Sequence, residues 1–222
     1  MRIGSFNVEK NGKSSTLEKQ TQVDIFLYNC CSSSYWDADI VFLCEIHSAQ
    51  IENYRSNLAA IYKNYSVYAF TGGYSNAYIV MVKSFERLQV ISQGSLFTLN
   101  RDLIAVEANG VKGYTGYVFL AHFKSGQNGV TKSQLKSCTS LGGKWVATGD
   151  LNLDYQKVGQ LDTAGLAYEC WNGQQTQSKG GILDWVLASV DVRVVPVDIT
   201  GLAQVFDMSG PDHRPILFDV TS

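Results

Sequence analysis

The sequence predicts a mixed α/β layered fold, with two β-sheets and helices packed outside them. Three observations carry this reading. About eleven short runs are rich in β-branched and aromatic residues, as strands are. Only three stretches repeat at helical period. The two kinds do not alternate as they would in a doubly wound parallel sheet. In chain order, a first strand over Arg2–Val8 leads to a helix over Leu17–Cys31, opened by the capping run Ser14-Ser15-Thr16 with Glu18 behind it. A strand at Ile40–Cys44 and a helix at Ser48–Tyr62 follow. Strands then come in succession at Ser66–Phe70, Ala77–Val82, Leu88–Ile91, Leu103–Ala108 and Tyr117–Ala121. After a third helix at Val130–Cys138, the remaining strands are Trp145–Thr148, Leu183–Ala188, Val192–Val197 and Ile216–Val220. Glycine pairs such as Gly72-Gly73 and Gly142-Gly143 mark turns between them.

Composition narrows the function classes. With 222 residues, 45% hydrophobic and only 17% charged, the chain is globular and not disordered. Its length suits a single domain over residues 1–222. Apolar runs such as Ile40–Cys44 fall far short of the ~20 residues that a membrane helix requires, so no membrane span is expected. Met1–Lys10 reads as a strand and not as a leader, which suggests a cytoplasmic protein or an effector secreted without a visible signal peptide. A net charge of −2 provides no basic face, which argues against tight non-specific DNA binding. It leaves room for an enzyme that meets phosphates locally. Five cysteines with no CxxC pair point to reduced thiols, and adjacent Cys30 and Cys31 read as two helix positions with one buried.

Chemistry concentrates where apolar runs end. Asn7, Glu45, Asp150, Asn152, Asp184 and Asp212 each follow or interrupt such a run, and so do His122 and His213. Alone, each has a plain structural reading as a turn former, helix cap or hydrogen-bonded core residue. Together they form a set of hard oxygen ligands and amides with few nitrogens, which selects Mg²⁺, Mn²⁺ or Ca²⁺ over zinc. The sequence contains no HExxH, no Gly-x-Ser-x-Gly elbow, no GxxxxGK[ST] loop and no GxGxxG, so zinc hydrolases, triad hydrolases, kinases and dinucleotide enzymes drop out. Metal-assisted hydrolysis of a phosphate ester remains.

The ordered series Asn7, Glu45, His122, Gly149-Asp150-Leu151-Asn152, Leu183-Asp184-Trp185 and Asp212-His213 resembles the endonuclease/exonuclease/phosphatase superfamily, in its deoxyribonuclease I-like branch. The likeness runs from residue 3 to residue 218. It implies a four-layer α/β sandwich, two mixed sheets face to face with helices on both outer sides. It also implies that Glu45 binds the metal, held by Asn7 with Asp212 alongside, and that Asp150 and Asn152 lie across the scissile phosphate. Asp150 would position or deprotonate water and Asn152 would donate to a phosphoryl oxygen. His213 would hydrogen-bond the phosphate or transfer a proton, with Asp184 fixing its tautomer. His122 resembles the second catalytic histidine, which abasic-site endonucleases typically lack. Asn100–Val106 resembles the arginine-led strand of that branch and of the nuclease subunit of cytolethal distending toxin, which would bring Arg101 to a substrate phosphate. Gly73–Ala77 resembles a turn where Tyr74 or Asn76 would reach the phosphate or brace His122.

Pro211 stands where a serine is usual and Cys44 where glutamine is frequent, and no acidic partner for His122 is evident near Tyr74–Ala77. His47 reads as a surface residue at a helix start. Trp171–Gly181 reads as a polar rim loop where substrate choice is made. The activity so implied is a divalent-metal-dependent endonuclease acting on DNA, with RNA left open. The alternative is a phosphatase or phosphodiesterase for an inositol phosphate or sphingomyelin-type substrate. A monomer is expected, joined by an inhibitor or delivery partner if the chain is a toxin.

Overall fold

Two parallel strand pairs organise the molecule. In the computed structural model, which describes residues 1–11, 16–72, 75–91, 103–126, 128–138, 142–160 and 164–222, β1 (Arg2–Asn11) runs parallel to β2 (Ile40–His47) through α1 (Leu17–Cys31). Likewise β7 (Tyr114–His122) runs parallel to β8 (Trp145–Asp150) through α3 (Asn128–Cys138). Antiparallel strands extend each pair. β3 (Tyr65–Thr71), β4 (Asn76–Lys83), β11 (Arg193–Pro196) and β12 (Ile216–Thr221) complete the sheet β11-β12-β1-β2-β4-β3. β5 (Leu88–Ile91), β6 (Ile104–Val111), β9 (Leu166–Tyr168) and β10 (Asp184–Ala188) complete the sheet β5-β6-β7-β8-β10-β9.

The strands at the centre are buried on both faces, which is why they read as unbroken apolar runs. Ile40 to Cys44 have no exposed surface, and neither do Val118 to Ala121. Alternation along β7 divides the core: Val118 and Leu120 join the large cluster shared by both sheets, while Phe119 and Ala121 join a second cluster with Leu135 of α3 and Trp185 of β10. On the outside of the first sheet, α1 buries Val23, Phe26, Leu27 and Cys30, the i, i+3, i+4, i+7 stripe of an amphipathic helix. Thr16 caps α1 by accepting the Lys19 N–H at 3.1 Å, while Ser14 and Ser15 lie outside the described residues.

The two sheets with helices outside match the predicted sandwich, and all eleven predicted strands are present. Three local differences have physical causes. The segment 48–62 begins as a 3₁₀ turn, Ser48–Gln50, before α2 (Ile51–Ile61), because no side chain caps its first residues. β9 was not predicted; at three residues on a sheet edge, it is too short to show a period. β2 runs on through Glu45 to His47 across an irregularity, so His47 ends a strand and is half-buried. None of the five cysteines forms a disulfide, and no described helix is long and apolar enough to cross a membrane.

Candidate active site

Parallel strand pairs send their carboxyl ends the same way, and the crevice beyond those ends is where α/β sheets bind ligands. Here β1 delivers Asn7, β2 delivers Glu45, β7 ends on His122 and β8 on Asp150. His122 and Asp150 face each other in register across the β7–β8 pair. Gly149 makes that approach possible. Its φ is +129°, and a Cβ there would run into the Ala121 carbonyl. From β8, Asp150 pairs in register with Asp184, the first residue of the antiparallel β10. Glu45 and Asn152 adopt left-handed backbone conformations, φ +59° and +48°, as do Glu9 and Lys10 at φ +45° and +57°. Side-chain-bearing residues avoid this region, so its recurrence around one cleft marks a site that holds strain.

Asp150 is the hub. Its Oδ2 accepts from Asn7 Nδ2 at 3.0 Å and Asn152 Nδ2 at 2.9 Å, and it lies 3.4 Å from His122 Nε2 and 3.8 Å from His213 Nε2. The Asn152 N–H donates to Asp150 Oδ1 at 3.0 Å, and Asn152 Nδ2 also reaches the Phe123 carbonyl at 2.8 Å. Asn7 thus sits on Asp150, and its Oδ1 accepts the Glu9 N–H at 3.0 Å while keeping a second lone pair. His122 Nε2 is 3.1 Å from Glu45 Oε1, so a carboxylate partner that the sequence around Tyr74–Ala77 does not offer comes from the other sheet. Tyr78 packs edge-on against His122, ring centroids 6.2 Å apart.

Asp184 Oδ2 lies 2.8 Å from His213 Nδ1, and both residues are buried. Burial pushes the Asp184 carboxyl up, to about 6, against the pull of His213. Burial also disfavours the His213 imidazolium, but Asp184, then Asp150 and Asp212, outweigh it and raise its pKa to about 10. The Asp184 carboxylate thus favours the protonated His213 ring. His213 Nε2 faces the cleft, 3.9 Å from Asp212 Oδ1.

Sequence reasoning treated 171–181 as a rim loop; the structure makes it a strap. Thr176 Oγ1 accepts the N–H groups of Leu183 and Asp184 at 2.9 and 3.0 Å. Gln177 Nε2 donates to Asp212 Oδ2 at 3.1 Å, and the Ser178 N–H donates to the Asp212 carbonyl at 2.8 Å. Arg214, next to His213, secures the strap: its guanidinium stacks on Trp171 at 4.8 Å and donates to Gln174 Oε1 and the Gln175 carbonyl, both at 3.1 Å. Glu9 also went unread. Its Oε2 accepts the Asp212 N–H at 3.1 Å and lies 3.2 Å from the buried Lys19 Nζ. These contacts depend on long-range geometry, and no sequence motif announces them. Asn76 is buried at the start of β4, its Oδ1 without a partner, whereas Arg101 and Tyr74 lie outside the described residues.

These groups line a cleft of about 340 Å³ whose wall includes Glu9, Glu45, Asp150 and Asp212. So many carboxylates around one cavity would repel a phosphate without a cation between them. The lining suits one, since the hard carboxylate oxygens of Glu45, Asp150 and Asp212 dominate it; in a second grouping, Asp150, Asp184 and His213 with ligand atoms within 4.8 Å of one another, the His213 Nδ1 is already taken by Asp184.

The two-sheet α/β sandwich is the fold of solved structures that include an endonuclease/exonuclease/phosphatase family protein. No protein-family model matches the sequence, and no curated protein matches it. Solved structures match along its length. The human Nocturnin catalytic domain with bound sulfate superposes with a TM-score of 0.67 at 12% identity, covering 100% of this chain and 94% of that one. A mannosyl-6-phosphatase from Bacteroides thetaiotaomicron gives 0.66 at 13% identity, covering 100% of both chains. An endonuclease/exonuclease/phosphatase family protein from the same bacterium gives 0.62 at 11%, covering 99% of this chain and 97% of that one. At such identities the likeness is one of fold.

Proposed function

We propose that this chain is a divalent-metal-dependent phosphodiesterase that cuts DNA internally. One observation carries the reading: Glu45, His122, Asp150, Asn152 and His213, scattered over the sequence, line a single cleft, with contacts of 2.9–3.8 Å linking their polar atoms and Asp184 buried behind His213 at 2.8 Å. Glu45 would be the principal metal carboxylate, with Asp212 and Asn7 Oδ1 as further oxygen donors. A hard cation such as Mg²⁺ or Mn²⁺ held there supplies positive charge to a phosphoryl oxygen. Asp150, fixed by Asn7 and Asn152, orients water towards phosphorus and accepts its proton. Asn152 holds Asp150 in place, since both of its amide N–H groups are spent on Asp150 and the Phe123 carbonyl. His213, held cationic by Asp184, donates from Nε2 to the phosphoryl group as charge builds. His122, braced by Glu45 and packed against Tyr78, occupies the other flank, and Asn76 is assigned to the phosphate contacts. Arg101 and Tyr74 complete the phosphate contacts in this reading.

Nicking of supercoiled plasmid in Mg²⁺ or Mn²⁺, with and without EDTA, tests the reading. The expected result is metal-dependent nicking that falls at least about 10²-fold in folded His213→Ala. Unimpaired nicking by that variant would remove the assignment. A second reading, a phosphatase for a small phosphate, is favoured by the acidic cleft and by fold likeness to a mannosyl-6-phosphatase. Release of inorganic phosphate from sugar or inositol phosphates, without plasmid nicking, would establish it instead.

A further inference from the structure

Asp212 is held at three points. Its N–H donates to Glu9 Oε2 at 3.1 Å, its carbonyl accepts the Ser178 N–H at 2.8 Å, and its Oδ2 accepts from Gln177 Nε2 at 3.1 Å, while Oδ1 lies 3.9 Å from His213 Nε2. The strap supplies two of these contacts, and the third leads out of the cleft. Glu9, which lines the cleft, turns its carboxylate and its carbonyl towards one ammonium: Lys19 Nζ lies 3.2 Å from Glu9 Oε2 and donates to the Glu9 carbonyl at 2.6 Å. Asn7 Oδ1 accepts the Glu9 N–H at 3.0 Å. The backbone that satisfies all of these partners at once is left-handed at Glu9 and again at Lys10, φ +45° and +57°.

Lys19 does not line the cleft. It stands in the first turn of α1, outside the sheet, and is only 5% exposed. The loop that carries Asp212 passes over its stem: a Cβ on Gly210 would stand 3.8 Å from Lys19 Cβ and Cε. Burying an ammonium is costly, and a buried ion pair adds little net stability over an apolar pair of the same volume. Docking α1 does not call for a cation here, because Val23, Phe26 and Leu27 already bury its inner face. What the buried pair supplies is a fixed geometry. We infer that Lys19 is a positioning residue for the cation site: from outside the cleft it holds Glu9, and through Glu9 it holds the Asp212 backbone, so that Asp212 stands ready as an oxygen donor. The inference rests on the donor role proposed for Asp212 above and not on the identity of the substrate.

Mn²⁺ binding to the substrate-free protein, followed by electron paramagnetic resonance, provides the test. Lys19→Met keeps an unbranched stem and removes the ammonium. Loss of a positive charge near an acidic cleft should by Coulomb's law tighten cation binding. Positioning has the opposite sign: the Mn²⁺ dissociation constant should rise about tenfold. Val23→Ala, which loosens the same helix, should lower the melting temperature and leave Mn²⁺ affinity unchanged, so helix stability and positioning are separated. In an Asp212→Asn background, Lys19→Met should weaken binding no further, because the path runs through Asp212. Unchanged or tighter binding in Lys19→Met would overturn the inference. So would an equal loss in Val23→Ala, or a full further loss in the Asp212→Asn background. A wild-type protein that takes up no Mn²⁺ would overturn it together with the metal reading. Mn²⁺ uptake that responds to Lys19→Met as expected, without plasmid nicking, would support the role of Lys19 and sink the nuclease reading alone.

Discussion

The two ends of the central strands β1 and β2 both collect acidic residues, and they treat them oppositely. At the amino end, Asp37, Asp39 and Asp219 meet cations: Arg2 pairs with Asp219 at 2.8 Å, Lys83 with Asp37 at 2.6 Å, and Lys112 with the fully buried Asp39 at 2.7 Å. The Arg2 N–H adds a 2.7 Å bond to Asp39. At the carboxyl end, Glu45, Asp150, Asp184 and Asp212 face one another across the cleft, with His122 and His213 as the cationic or proton-bearing groups between them. The first end is a closed network that fastens the chain's beginning to its last strand. The second is open and under-neutralised, which is what a site for a cation and an anionic substrate requires. Similar residue types therefore serve stability where their partners are complete and chemistry where they are not.

The largest effect that could break this comparison is at the closed end. Asp39→Ala should cost about 2 kcal/mol of stability, since it leaves the Arg2 N–H without its acceptor and removes the carboxylate that Lys83 and Lys112 share. Activity per folded molecule should stay unchanged. Urea unfolding alongside active-site-normalised rates would check it, and a catalytic loss would tie the two ends together. A smaller effect is expected at the strap, which joins structure to site. Thr176→Val leaves the N–H groups of Leu183 and Asp184 without their acceptor and should lower kcat about tenfold, the equivalent of about 1.4 kcal/mol. Thr176→Ser should keep the wild-type rate, a contrast that separates the hydroxyl from simple packing. The smallest effect has the opposite sign. Glu45→Gln removes one charge from the open cluster and should stabilise the metal-free protein by about 0.5–1 kcal/mol. The same change should abolish the rise in melting temperature that Mg²⁺ gives the wild type. A melting temperature that still climbs with Mg²⁺ would relieve Glu45 of its metal role.

Much of this site was legible because its residues end apolar runs. Asn7, Glu45, His122, Asp150 and Asp184 all stand at or near strand ends, where a polar residue interrupts a strong local signal. The partners were not legible. The pairing of His122 with Glu45 crosses from one sheet to the other, and Asn7 reaches Asp150 over a separation of 143 residues. Gln177 and Thr176 lie in a tract whose glycines and amides read only as loop. Their function comes from backbone N–H groups and from Asp212, brought to them by the fold. Glu9 reads as one more surface charge until Lys19 and the Asp212 N–H are found beside it.

The sequence by itself determined the elements and the chemical inventory. Periodicity and β-propensity act over a few residues, so β1 to β12 and α1 to α3 are largely written in local pattern, with the three-residue β9 as the exception. It also determined that hard oxygen donors and two histidines, one of them ending a strand, would be available. Only the tertiary structure decided which of them meet. Side chains alternate between faces along a strand, so whether Glu45 reaches His122, or Asp150 serves Asn7, Asn152 and both histidines at once, depends on register within each sheet and on how the two sheets stack. Those are set by the burial of both faces of β1, β2, β7 and β8 in the shared core, a many-body packing condition that no short segment encodes.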